Sequence, residues 1–563
     1  MLTFIEFIKV FLFSYITCYI YFFYGYLFSF KKNKSILQLH THDIEKITLL
    51  GIIFVSFISL FLNFFVSLNI LLNTIFLSLG FLLYFIDKKK FFNKKLIKYN
   101  FIIAILSTLL LLYANINRPD AALYHLPFVS VLNEHKIIIG LGNIHSRFGH
   151  ISIIQYLSAI NYNFLFGLNG ISIPLAVIVS FFVVFFYRKV LTSFKLNSLN
   201  LDFYFCLFVS IYIFYKINRY SSFGNDAVTH LCFFYLIRLI LIDNNYKQLS
   251  LIILICVFIF LNKSTYLLVF LFPLIIYFYN KIYLDYKKTM KLFFSFSSFF
   301  LLLWLLKNIL ISGCLIFPIH KSCIQELKWS EKIETIERIS QNGEAWSKAW
   351  PQNKNTNLTT EEFNKNFNWL QPWMGSHAKY IGKTMLPYLL FLIILNIYFR
   401  DNKKKLRINN INYYLCLVLS ITLTLIFFLK FPLYRYGYSY LITLIILLSL
   451  FNYKQFNHNK VIRFTGIMLI IFPLIFFGKQ IQRYYERYPV EYINKPWPNI
   501  YSLHDNKINI KKLAINYNGL NIYESLNECS YSKAICTNYR VNKNINIYKK
   551  LTYFIIYNNL KFD

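Results

Sequence analysis

Residues 101–127 read FIIAILSTLLLLYANINRPDAALYHLP. An apolar run ends at Tyr113, and Arg118, Asp120 and His125 follow within a few residues. A helix of about 20 such residues crosses a ~30 Å hydrocarbon layer, so the charged cluster stands where the chain leaves it. There a carboxylate is partly desolvated, which raises its proton affinity, while a neighbouring arginine lowers it; that balance suits a general base. If 120–125 form a helical turn, Tyr124 shares the face of Asp120 and His125 is slightly rotated from it. The plainer role for Asp120 is a helix N-cap.

The pattern repeats along the chain. Of 563 residues, 57% are hydrophobic, 20% aromatic and only 15% charged, against about 25% charged in a soluble domain. This excludes an ordinary soluble enzyme and a disordered chain. Apolar blocks predict helices at 8–30, 47–67, 69–86, 98–115, 168–187, 201–217, 227–242, 248–262, 264–280, 291–313, 384–400, 411–429, 434–452 and 462–478. The expected fold class is an all-α polytopic membrane protein of about 14 transmembrane helices. A long outer loop and a small carboxyl-terminal α/β segment outside the membrane complete it. The domains follow: extra amino-terminal helices over 1–97, a core over 98–313 with its first outer loop at 115–150, a large loop over 314–383, further helices over 384–478, and a tail over 479–563.

The formal charge of +35 does not imply nucleic acid. Its lysines crowd short loops between apolar blocks (Lys31, Lys32, Lys34; Lys88, Lys89, Lys90, Lys94, Lys95; Lys287, Lys288; Lys403, Lys404, Lys405, Arg407), and short basic loops mark the cytoplasmic side. Keeping all of them on one side makes 141–167 an amphipathic helix on the outer surface, not a further span. Four of the nine cysteines then fall outside as the pairs Cys314/Cys323 and Cys529/Cys536, which read as disulfides in an oxidising compartment.

Other polar groups gather at the same outer ends. Arg147 and His150 are three apart on one helical face; they suit a phosphate, or the headgroup zone. Arg219, Asp226 and His230 lie around the head of the 227–242 helix, with Asp226 a cap candidate and His230 an ionisable group inside a membrane helix. Lys263 sits at a turn between two short helices, and Arg435 opens another; both suit a lipid-borne phosphate, or snorkel to headgroups. A divalent ion (Mg or Mn) between Asp120 and Asp226 is chemically open. The tryptophans of the long loop (Trp329, Trp346, Trp350, Trp369, Trp373) suit a sugar-stacking surface or, more simply, interfacial anchors. No P-loop, GxGxxG or CxxC pattern is present.

Taken together, Asp120 in the first outer loop, Asp226 heading a later helix in a Gly-Asn-Asp setting, and Arg435-Tyr at the head of a late helix resemble the GT-C class of membrane glycosyltransferases, in a bacterial branch. The stretch Ser312-Gly-Cys-Leu-Ile-Phe-Pro318 before a Trp-containing loop is similar as well. The chain departs from that class in lacking a paired Asp-Glu at the first site and in its extra amino-terminal helices. The resemblance implies a multi-pass protein of the bacterial cytoplasmic membrane with its site facing the exterior. Its donor would be a polyprenyl-phosphate-linked sugar and its acceptor an envelope glycan, lipid or protein. Asp120, with His125, would be catalytic, and Arg435, Lys263 and Arg147 would hold the donor phosphate. Two rivals stand beside it. An envelope polysaccharide polymerase or ligase would rest on Arg147 and His150 instead of Asp120. A lipid or solute transporter would place its ionisable groups at mid-membrane.

Overall fold

The computed structural model of the chain describes residues 2–30, 44–86, 93–113, 120–216, 224–242, 248–279, 287–350, 358–401 and 410–487. In the carboxyl-terminal region it describes 511–558 apart from 518, 527–528, 533–534 and 542–543. Most of the lysine runs, together with Arg118 and Arg219, lie outside the described residues.

The apolar blocks are helices, with ends moved by a few residues: Leu2–Phe30, Ile44–Leu62, Ile70–Ile86, Lys94–Tyr113, Asn169–Lys195, Leu201–Lys216, Asp226–Ile242, Leu249–Asn262, Lys287–Ser312, Lys379–Phe399, Ile411–Lys430, Tyr434–Leu450 and His458–Arg487. The block expected at 264–280 is instead a 3₁₀ segment, Ser264–Phe270, followed by a short helix, Leu271–Tyr279. Among the described residues, seven helices are long and apolar enough to cross a membrane, and three shorter apolar ones accompany them.

Residues 141–167 depart from expectation. They form two 3₁₀ turns, Leu141–Asn143 and Ser146–Gly149, and a helix, Ile153–Ile160, of which every residue is buried. Eight residues rise only ~12 Å, so this helix neither spans nor lies on a surface; it is embedded in the bundle. Buried asparagines hold it there. Asn73 Nδ2 donates to the carbonyls of Leu68, Ala159 and Tyr162, and Asn133 Nδ2 to those of Leu68 and Ala159. Apolar periodicity reports what a helix face prefers, but not that side-chain amides from elsewhere will satisfy its ends.

The divisions at 97 and 479 also fall inside helices. Lys94–Tyr113 runs through the first, and the amino-terminal helices are built into the bundle. Gly25 and Gly51 let the first two helices touch backbone to backbone: a Cβ on Gly25 would stand 1.8 Å from the Ile47 carbonyl oxygen, and one on Gly51 1.6 Å from that of Tyr21. Small residues permit such crossings between apolar helices. The last helix continues past the apolar run, and Lys479 caps the Leu201–Lys216 helix through the carbonyls of Phe214 and Tyr215.

Beyond it, the described residues of the tail contribute the β part of the expected segment. β1 (Lys511–Tyr517) pairs antiparallel with β2 (Leu520–Ser525), which pairs parallel with β3 (Ile535–Thr537). β4 (Ile545–Lys550) and β5 (Tyr553–Asn558) form a hairpin, and β5 bridges to Ile139 of the helical body. Cys314 is bonded to Cys323, and Cys529 to Cys536.

Candidate functional site

Asp120 stands at the start of a π turn, Ala121–His125, that leads into the helix Leu126–Glu134. Its side chain makes no capping bond, so the N-cap role is not the one it plays. The carboxylate instead accepts from two arginines remote in sequence. Arg147 Nη1 reaches one oxygen at 3.1 Å across 27 residues, and Arg435 Nη1 reaches the other across 315. Burial pushes the Asp120 carboxyl up, but Arg435 first, then His125 and Arg147, outweigh it and hold it below the usual carboxylate range.

Each arginine is aimed by its own element. Arg147 lies in the Ser146–Gly149 turn, whose cap is His145; the Nδ1 of His145 accepts the Arg147 backbone N–H at 3.0 Å. His145 therefore carries its proton on Nε2, which donates to Asn538 Oδ1 of the tail at 3.1 Å. Burial holds this imidazole down at about 4, so it is neutral at ordinary pH. The Arg147 guanidinium lies over the Tyr124 ring at 5.0 Å, and its side chain keeps 41% exposure. Arg435 heads the Tyr434–Leu450 helix, and its guanidinium stands 5.3 Å from the rings of both Trp346 and Tyr436.

The second carboxylate adjoins the first through Arg435. Asp226 opens the helix Asp226–Ile242 and accepts from Lys263 Nζ at 2.5 Å. Lys263 occupies the extended residue between the Leu249–Asn262 helix and the 3₁₀ segment after it. That break lets its ammonium also reach the Arg435 carbonyl at 3.3 Å and the Tyr436 ring at 4.4 Å. The same carbonyl accepts from His230 Nε2 at 2.9 Å. A carbonyl cannot donate, so the proton of His230 is on Nε2, and the single lone pair of Nδ1 accepts from one of the hydroxyls of Tyr266 (2.7 Å) and Ser439 (3.0 Å), which are bonded to each other at 2.7 Å. The backbone kink at Gly437 (φ −145°, ψ 16°) frees this first turn for the task.

His125 faces the same region, and burial pushes it down to about 4. Its tautomer is set by Gln155. The Gln155 Oε1 accepts the Ser152 N–H, so the amide must present Nε2 to His125 Nδ1, at 3.1 Å, leaving the imidazole proton on Nε2.

The structure thus brings Asp120, Arg147, Arg435, Asp226, Lys263, His230 and His125 to one end of the bundle. His150 is left at the margin: it is exposed, edge-on to Phe317 at 5.2 Å. Arg219 lies outside the described residues. Among the described residues no group of three or more His, Cys, Asp or Glu is arranged to hold a metal ion, and each carboxylate is engaged by side-chain cations. Of the loop tryptophans only Trp346 is exposed, at 43%, and it alone adjoins Arg435. Trp369 is buried in a small core with Ala345 and Phe363, while Trp373 and Trp329 donate to the carbonyls of Pro432 and Ile309. These three are engaged in packing the loop against its neighbours. Gln155, Tyr266, Ser439 and Tyr436 were not foreseen as site residues. Their signal is a polar side chain one or two turns from an ionisable one within an apolar run, which is visible only once the partner helix is known.

Among the described residues, the cluster itself joins three cations (Arg147, Arg435, Lys263) and two carboxylates (Asp120, Asp226). The surplus is positive and partly exposed, and cations so placed can pair with an anionic group. Residues 7–442 match the model of a family described as a domain of unknown function (DUF8201), and the chain belongs to that family. No curated protein and no solved structure matches it.

Proposed function

We propose that this member of the family is a membrane glycosyltransferase of the GT-C kind, moving a sugar from a polyprenyl-phosphate or -pyrophosphate donor to an envelope glycan, lipid or protein. The observation that carries the reading is Asp120 clasped by Arg147 and Arg435, with Lys263, paired to Asp226, against the Arg435 backbone. The lipid tail stays among the apolar helices while the phosphate takes the guanidinium forks, whose planar pairs of N–H groups match phosphate oxygens. As those forks turn to the phosphate, the hold on Asp120 loosens and its proton affinity rises. Asp120 then accepts the proton of an acceptor hydroxyl as that oxygen bonds to the anomeric carbon. The bond from that carbon to the phosphate oxygen breaks, and the phosphate leaves with the electron pair, its charge met by Arg435, Arg147 and Lys263. Both disulfides lie at the site end, which supports placing it outside the cytoplasm of a bacterial cell, in an oxidising space.

The test is a deletion strain complemented with Asp120→Asn, with envelope glycans and lipid-linked intermediates read by mass spectrometry. The expected outcome is a missing sugar with its lipid-linked donor accumulated, in cells that still insert the protein.

One observation favours a second reading. A carboxylate gripped by two arginines is also a device for aiming them, as a polymerase or ligase that grips a lipid pyrophosphate would need. In that case Asp120→Asn retains substantial transfer and Arg147→Ala does not.

A further inference from the structure

The Asp120 turn has a defect written into its sequence. In the π turn, the Leu126 N–H donates to the Ala121 carbonyl, five residues back. The next carbonyl, that of Ala122, would take the N–H of residue 127 in the same register. Residue 127 is Pro127, which has none. The alternative donor one register shorter, Leu126, is already spent. Ala122 is 0% exposed, so water does not replace the missing partner, and a buried carbonyl without a donor is costly.

The tail supplies what Pro127 withholds. The backbone N–H groups of Cys529 and Ser530 both donate to the Ala122 oxygen, at 3.1 and 2.8 Å. Two consecutive amides converge on this one oxygen, and directly after them the chain turns through Ser530 at φ 48°, a left-handed conformation rare for a side-chain-bearing residue. Such backbone persists where its surroundings over-determine it. Here the Cys529–Cys536 bond closes the loop on one side, and Tyr531 anchors the other through its hydroxyl on Asn133 Oδ1. A second tail contact, Asn538 and Tyr539 against His145, steadies the turn that carries Arg147.

We infer that the carboxyl-terminal disulfide loop is a clamp that holds the Asp120 turn in its π register by donating to the Ala122 carbonyl. The clamp itself rests on these bonds alone; its bearing on sugar transfer rests on the function proposed above.

The experiment is hydrogen–deuterium exchange on the full chain in detergent, comparing peptides over 121–130 with peptides over 434–450. Cys529→Ser with Cys536→Ser, or reduction with dithiothreitol, is expected to speed exchange at 121–126 on the order of tenfold and to leave 434–450 unchanged. Cys314→Ser with Cys323→Ser is the control and is expected to leave 121–126 at the native rate. Adding Pro127→Ala to the Cys529/Cys536 variant restores an internal N–H and is expected to slow exchange again. Unchanged exchange at 121–126 overturns the clamp, as does equal acceleration at 434–450 or failure of Pro127→Ala to rescue. These results are separable from the proposed activity. An active Asp120→Asn variant would end the glycosyltransferase reading and leave the clamp standing, while unchanged exchange would do the reverse.

Discussion

At one end of the bundle Asp202 and Arg238 meet at 2.6 Å, with the arginine side chain only 7% exposed. At the other, Asp120 meets Arg147 and Arg435, and Asp226 meets Lys263. The first is one carboxylate and one guanidinium on neighbouring helices, its arginine packed over Phe185. The second gathers groups separated by as many as 315 residues and ends with more positive than negative charge. The first pair is balanced in charge, although Asp202 is as exposed (21%) as Asp120 (20%) and the Arg238 Nε is buried without an acceptor. The unbalanced one has capacity left over, and its most exposed member, Arg147, is the one a ligand meets first.

The largest effect that separates the two ends is on turnover. Asp120→Asn is expected to lower sugar transfer by about 10²-fold or more, measured in membranes with a lipid-linked donor pool, while thermal unfolding in detergent moves little. Asp202→Asn should behave in the opposite way. Removing its charge leaves the buried Arg238 without its carboxylate partner and should lower the melting temperature, by less than the about 3–5 kcal/mol of a fully buried pair because Asp202 is partly exposed, with transfer per folded molecule retained; lost transfer with an unmoved melting temperature would erase the contrast. Arg435→Lys keeps the charge and loses the fork. We expect affinity for farnesyl phosphate, read by calorimetry, to fall roughly tenfold, equivalent to about 1.4 kcal/mol.

A smaller, pH-dependent effect belongs to His145. It is held at about 4 in the folded chain, below the ordinary imidazole value of 6.5. The unfolded chain takes up the proton first, so the stability tied to neutral His145 is complete above 6.5 and is lost as pH falls toward 4. His145→Gln should flatten that part of the melting-temperature profile; a slope as steep as before would assign it to other groups. The least effect is expected of Trp346→Ala, which removes a ring beside Arg435 and should weaken farnesyl phosphate binding by a few-fold.

The sequence made the helices legible because the length of an apolar run is a local property, demanded by the layer it crosses. It also offered Asp120, Asp226, Lys263 and Arg435 as candidates, since each stands at the end of such a run. It did not show that Arg435 reaches Asp120, because nothing in either neighbourhood encodes the other. The 141–167 stretch misled for a related reason: its burial depends on Asn73 and Asn133, which belong to other segments. Gln155 looks like any polar residue until Ser152 fixes its amide. Pro127 was in plain view beside His125, yet its meaning needs the π register, which hydrophobic periodicity does not carry.

The contact between Gly25 and Gly51 has a mechanical consequence. With no side chain between them, the first two helices pack as one thick rod, and the second ends at Leu62, next to Asn63, whose carbonyl oxygen accepts the N–H of Ile137 and whose side-chain oxygen accepts from Lys307. A methyl group at either glycine would wedge the rod open and tilt that end, shifting the ground under residues 126–140. The bare α-carbons of two glycines thus brace the support beneath one wall of the ionic cluster.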